Sequence, residues 1–371
     1  MATSLREEFK TADWAIFAAG PVVWALLAVW VGQETSWDFR NYHWYNAYAF
    51  ETGRYALDIA PAHAATYYNP VLDIGYRFLA LRLAPVLLLA LLGAVQGLNF
   101  SLLFLIARHV LAVEANAARV AAAVIAAAGV TGGMSLRIIG TTYYDNVLSL
   151  LTLAALYGLL RADRRMEDMP RTWLPQLLLA GLAIGAAVGM KLVEMPYGIA
   201  FAATLLLLAR SLKQAALLLA ACGFAAALGV AAFGGFWFLH LAHVTGNPLF
   251  PFFTGIFPND LLSSVDQRDA RFVPSTVGKA LAFPFLLAWD WHTAADWKYG
   301  DARLAIAYVA VPLALLARLR FGGAKDPWIG PRNAALILSF FAIAYVAWLA
   351  LFGIYRYAVA LEILAPLAVV A

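Results

Sequence analysis

Residues 36–73 read S-W-D-F-R-N-Y-H-W-Y-N-A-Y-A-F-E-T-G-R-Y-A-L-D-I-A-P-A-H-A-A-T-Y-Y-N-P-V-L-D and lie between two long apolar segments. Their position predicts a loop just outside a hydrocarbon layer, yet the stretch is too aromatic and too regular for a plain connector. Asp38, Tyr42, Tyr45 and Ala49 recur at helical spacing, and Arg40, Trp44 and Tyr48 form an adjacent strip. Trp and Tyr rings beside charges suit a helix lying in the membrane interface, with ring bodies among headgroups and polar tips in water. Gly53 should break this helix, and Pro61 and Pro70 bracket a second interfacial piece. The expectation is two membrane-parallel helices that form the floor of a site.

The rest of the chain supports that setting. Of its 371 residues, 63% are hydrophobic and 13% charged, against roughly 25% charged in an average soluble domain; the mean hydropathy is +0.75. Apolar runs of about 20 residues recur, so an all-α polytopic transmembrane helix bundle is expected and a β-barrel is not. The net charge of +4 is spread over short connections, without a basic block for nucleic acid. The single Cys222 allows neither an intrachain disulfide nor a thiolate cluster. No small-residue cleavage site follows the first apolar segment, which is therefore read as a retained helix.

In order, spans are expected from about Trp14 to Val31, Ala84 to Ile106 and Arg119 to Met134, and then after the polar stretch Arg137–Asn146. A fifth runs from about Trp173 to Ala187, a sixth returns to Arg210 and Lys213, and a seventh covers about Ala216 to Phe238. A long outer region continues to Asp301. An eighth span ends at Arg318 and Arg320, followed by Lys325 and Arg332, and a ninth rises to Gly353–Tyr357. The count is about ten spans at roughly 20 residues each. The tenth is incomplete, because the chain stops within an apolar run, so one domain (residues 1–371), truncated at its C-terminus, is expected. The cluster Arg161, Arg164, Arg165 and Arg171 is the most positive connection. The positive-inside rule places it, and by alternation the N-terminus, in the cytoplasm.

Polar residues then gather on the outer face: the 36–80 loop, Tyr144-Asp145-Asn146, Lys191 with Glu194, the 245–301 region and Arg356. A carrier or lipid flippase would scatter ionisable groups near the midplane. Apart from the span ends, little beyond Gln96 and Asn99 interrupts the Ala, Leu and Val of the spans. Chemistry at the outer surface fits better.

Several of these segments resemble the GT-C superfamily of membrane glycosyltransferases. They are W-D-F at Trp37–Phe39 heading an aromatic interfacial helix, the acidic loop at Asp145, and G-L-A-I-G-A-A-V-G-M-K at Gly181–Lys191. T-G-N-P-L-F-P-F at Thr245–Phe252 and Y-R-Y at Tyr355–Tyr357 are similar to bacterial, mannosyltransferase-like members. The likeness covers most of the chain through loosely defined motifs. It implies a polyprenyl-phosphate sugar as donor, a glycan, lipid or protein hydroxyl as acceptor, and a site outside the bacterial cytoplasmic membrane. The family's usual acidic pair in the first loop is here the single Asp38. Rival readings are a lipid-linked oligosaccharide polymerase or ligase on the same face, or a flippase without chemistry.

The residues suit such transfer. A carboxylate must take the acceptor proton as the new bond forms, and Asp38 is the candidate base; in T-S-W-D it would also sit in the first turn of a helix capped by Thr35 or Ser36. Asp145 would orient the acceptor, bind metal or cap its helix. Arg356 between two tyrosines would grip the donor phosphate bidentately, or serve as an interfacial anchor. Lys191 is a second phosphate candidate, although a pair with Glu194 three residues on is the stronger expectation. Tyr42, Tyr45 and Tyr144 would support the acceptor site. The cofactor stays open: none is certain, and a divalent cation (Mg or Mn) would fall to Asp38 and Asp145, with His43 the weaker third ligand. Asn247-Pro248 and Pro251 should shape an interfacial turn. Asp266, Arg268, Asp269 and Arg271 read as a salt-bridged face covering the acceptor site.

Overall fold

The first apolar segment folds as α1 (Thr11–Val31), and the 36–73 stretch follows as a helix that ends in α2 (Trp44–Thr52). The computed structural model describes residues 10–58, 60–168, 173–258, 269–293, 295, 300–322 and 327–371. Arg171, Asp266, Arg268 and Lys325 lie outside the described residues, as do the side chains of Arg164 and Arg165. After a 3-10 turn at His63–Tyr67 come α3 (Val71–Ala80), α4 (Pro85–Val110), α5 (Ala115–Val130), the short α6 (Gly133–Arg137) and α7 (Asp145–Asp168). The second half holds α8 (Leu174–Met190), α9 (Met195–Leu206), α10 (Leu212–Val230), α11 (Phe236–Thr245) and α12 (Val277–Trp289). It closes with α13 (Arg303–Phe321), α14 (Pro331–Leu351) and α15 (Val359–Val370). No named strand occurs among the described residues.

Among the described residues, four helices are long and apolar enough to cross a membrane: Thr11–Val31, Pro85–Val110, Leu212–Thr245 and Pro331–Leu351. The expected count of about ten is thus met by length in only part. The remaining apolar helices, such as α5, α8 and α9, have 16, 17 and 12 residues, below the roughly 20 of a straight crossing. Leu26, Trp30, Phe224 and Leu239 point outward from the long helices, a distribution that suits lipid rather than water. The region expected as a long outer loop also holds the apolar α12, packed on α13. Lys279 and Pro284 interrupt its sequence and it runs only 13 residues, so it carried no span-length signal.

Helices without a hydrophobic drive toward one another associate through small residues that let backbones approach. Two such seams organise the bundle. A Cβ on Gly97 of α4 would stand 2.4 Å from the Gly20 carbonyl oxygen of α1, and one on Gly185 of α8 would stand 2.0 Å from that of Ala226 in α10. The Gly181, Gly185, Gly189 repeat is therefore a packing device. Gly97→Val should separate α1 from α4 and destabilise the protein by about 1–3 kcal/mol. Thermal unfolding in detergent reads this, and an unchanged midpoint would show that the seam tolerates a side chain. At the centre, α15 is buried along most of its length against α5, α13 and α14.

Candidate active site

The site lies where α1, α8 and α14 end and α7 begins. Ser36 Oγ accepts from Phe39 N at 3.1 Å, so Ser36 caps the first-loop helix and Asp38 is left free. Residues Phe39–His43 form a π-helical segment, a widened turn common at functional sites. It keeps Tyr42 over Asp38, with Tyr42 OH donating to Asp38 Oδ2 at 2.7 Å. The same widening rotates later residues out of the predicted strip. Tyr45 therefore turns away and donates to Asp58, which also pairs with Arg54; it does not support the site.

Arg356 reaches this carboxylate from the far end of the chain. Gly353 takes the left-handed conformation at φ +64°, and a Cβ there would lie 2.2 Å from the Phe272 carbonyl oxygen, so only glycine fits the turn. The 3-10 turn Tyr355–Ala358 then presents Arg356, whose Nη1 donates to Asp38 Oδ2 at 3.0 Å. Its Nε lies 3.6 Å from Asp145 Oδ2, and the guanidinium stacks 4.3 Å over the Tyr143 ring. Lys191 donates to Asp145 Oδ1 at 2.7 Å and to the Tyr143 carbonyl at 3.0 Å. The expected Lys191–Glu194 pair is not formed, because α8 stops at Met190 and Lys191 is extended. Glu194 instead accepts from Thr152 Oγ1 at 3.3 Å.

Asp38, Arg356, Asp145 and Lys191 thus alternate in sign along a ladder. Burial alone would raise the Asp38 carboxyl, but the Arg356 charge and the hydrogen bonds from Tyr42 and Arg356 outweigh it and hold the group below its ordinary value. Asp145 is 2% exposed and lines neither cavity; it stands behind the two cations. Tyr144, at φ +62°, turns with His43 toward Asp73, and His43 Nδ1 lies 2.7 Å from Asp73 Oδ1.

Two cavities meet at this ladder. One of about 760 Å³ opens past Glu34, Trp37 and Asp38, with Asp269 and Arg271 on its rim. Arg271 Nη2 pairs with Asp269 Oδ2 at 2.7 Å, as expected for that part of the charged face. The second, of about 120 Å³, is lined by His43, Tyr144, Lys191, Trp237 and Phe252. Tyr42, Tyr68, Arg356 and Tyr357 belong to both. The predicted turn after α11 builds one wall of the second: Asn247 bonds Leu249 N at 2.9 Å and the Phe252 carbonyl at 2.7 Å, and Phe252 stacks on Tyr68.

Sequence reasoning missed Glu34, which accepts from Thr142 N at 2.6 Å and from its hydroxyl at 2.8 Å. It also missed Asp73 and the buried Glu362, which accepts from Ser135 N at 2.8 Å. Asp73 and Glu362 bond across the chain, and one-dimensional spacing carries no trace of such pairs. Gln96 and Asn99 are structural: Gln96 Oε1 accepts from Gly140 N at 2.8 Å, and Asn99 bonds the Asn146 carbonyl at 2.5 Å. They fix the turn that presents Asp145.

Among the described residues no three His, Cys, Asp or Glu side chains gather as an ion site. The donor set does not fit a divalent cation either. Asp38 and Asp145 already face Arg356 and Lys191, which cancel their charge, and His43 Nδ1 is taken by Asp73.

No family model matches the chain, and no curated protein does. Two solved structures match 97% of it: ArnT from Cupriavidus metallidurans bound to undecaprenyl phosphate (TM-score 0.56, 17% identity) and the oligosaccharyltransferase AglB from Archaeoglobus fulgidus in complex with an inhibitory peptide and a dolichol-phosphate (TM-score 0.52, 16% identity). The chain spans 60% of the first and 50% of the second. In architecture the chain shares the helical fold of these two structures.

Proposed function

We propose that the protein is a glycosyltransferase that moves a sugar from a polyprenyl-phosphate donor to an acceptor hydroxyl. The observation that carries this reading is the Asp38–Arg356 contact at the junction of an open polar cavity and an aromatic chamber. The structures of ArnT and AglB, which share this fold, are complexes with undecaprenyl phosphate and a dolichol-phosphate. The acceptor (a glycan, lipid or protein hydroxyl) enters the open cavity beside Asp38. The donor phosphate lies against Arg356, whose fork matches phosphate oxygens, with Lys191 as a point charge behind. The acceptor oxygen attacks the anomeric carbon, the carbon–oxygen bond to phosphate breaks with its electrons on phosphate, and Asp38 takes the acceptor proton. Engaging phosphate draws Arg356 off Asp38, which strengthens the base once the donor is bound.

This coupling sets a pH profile. Asp38 is held below the ordinary 3.8, so it stays ionised as pH falls and is lost as a base only when pH drops through that lowered value. The acid limb of kcat/KM should therefore lie below the usual carboxylate range. Arg356→Gln should move the limb upward, and pH–rate profiles of both proteins check it; an unmoved limb would separate Asp38 from the reaction.

The reading places the site on the outer face of the bacterial cytoplasmic membrane. Ion pairs Asp13–Arg119 and Asp163–Arg332, at 3.0 and 2.8 Å, tie the ends of helices away from the site, and Arg108 and Arg161 lie there too, as the positive-inside rule expects of a cytoplasmic end. In a Cys222-free background, a cysteine at exposed Thr52 should label from outside and one at Lys213 only after the inner side is opened. The reverse pattern overturns the topology. The function itself is tested by incubating purified protein with a panel of labelled polyprenyl-phosphate sugars and acceptors; release of polyprenyl phosphate with sugar transfer is expected, and no transfer from any donor contradicts it.

A further inference from the structure

His43 and Asp73 form a buried pair that the reaction above does not use. They are 8% and 5% exposed, one on the first-loop helix and one on α3, joined through Nδ1 and Oδ1 at 2.7 Å. Burial disfavours net charge, and it raises the Asp73 carboxyl. The pair has two net-neutral forms. In imidazolium–carboxylate both ring nitrogens carry protons. In imidazole–carboxylic acid the acid donates to Nδ1 and the ring proton sits on Nε2. In both net-neutral forms Nε2 is a donor, whereas a neutral ring with its proton on Nδ1 against a carboxylate would leave Nε2 bare.

Nε2 is buried and has no hydrogen-bond partner among the described residues, and a buried donor calls for an acceptor. His43 lines the smaller chamber together with Arg356 and Lys191, under the aromatic side chains Tyr68, Trp237 and Phe252. The two carboxylates of its lining are engaged, Asp73 by His43 and Asp269 by Arg271, and the cations and ring donor beneath aromatic walls suit a phosphate carried on an apolar chain. The chamber's volume of about 120 Å³ suits the phosphate group rather than a whole lipid.

We infer that His43 Nε2–H donates to an oxygen of the phosphate of a polyprenyl-phosphate ligand, with Asp73 as the residue that positions the ring. This rests on the donor class proposed above. Proteins labelled with 15N-histidine in nanodiscs test it, with the His43 signal identified among six histidines by its loss in His43→Gln. Undecaprenyl phosphate should move the Nε2–H resonance, and inorganic phosphate at the same concentration should move it far less. Affinity should fall roughly ten- to a hundredfold in His43→Phe, the range of a hydrogen bond to a charged group. It should fall only a few-fold in His43→Gln, whose amide N–H reaches about the place of Nε2. Should His43→Phe fail to fold, the wild-type resonance decides. Lipid binding without a shift at His43 and with equal affinity in the variants overturns this inference alone. An equal response to inorganic phosphate overturns the lipid assignment. Absence of undecaprenyl phosphate binding to the wild type overturns both this inference and the donor class beneath it.

Discussion

Asp38→Asn is expected to fold like the parent protein and to lose transfer by about a hundred- to ten-thousand-fold, the contribution of a general base. The structure separates this loss from a folding effect. Ser36, not Asp38, caps the first-loop helix, and an asparagine oxygen can still accept from Tyr42 and Arg356 in place of Oδ2. The amide cannot take a proton. Initial rates of sugar transfer, with the thermal midpoint in detergent as a control for folding, decide the matter. Near-normal turnover in a folded Asp38→Asn protein removes Asp38 from the role of base.

Arg356→Lys should weaken donor binding by about 1–3 kcal/mol, the cost of losing a charge-assisted hydrogen bond. The guanidinium spans from Asp38 to Asp145 while resting on the Tyr143 ring. A lysine brings one compact charge without the planar fork and cannot hold all three contacts. The charge is retained, so Asp145 keeps a cation nearby beside Lys191 and the fold should survive. Equilibrium binding of undecaprenyl phosphate in detergent or nanodiscs reads the change. Unchanged affinity in a folded variant returns Arg356 to an anchoring role.

How far the chain could be read depended on the range of each interaction. The aromatic helix after Ser36 and its break at Gly53 were legible, because caps and left-handed glycines are local signals. The π segment at Phe39–His43 was not, since periodicity assumes 3.6 residues per turn, and Tyr45 was misplaced in consequence. Asp38 and Arg356 were legible as candidates but not as partners across 318 positions. Lys191 was assigned to Glu194 because the spacing fits a helix, whereas the chain leaves the helix at that residue. The His43–Asp73 pair spans two elements, and Asp73 reads in sequence as one more acid in a first helical turn. The count of about ten crossings is met by length only in part, because several apolar helices among the described residues are shorter than a straight span.

The most direct measurement is the position of the phosphorus atom in a structure of this protein with undecaprenyl phosphate bound. The account places phosphate oxygens within about 2.7–2.9 Å of the Arg356 guanidinium, in the chamber behind Tyr42, with Asp38 open to the larger cavity on the other side. A phosphate held elsewhere along the bundle, with the Asp38–Arg356 contact intact, would contradict it.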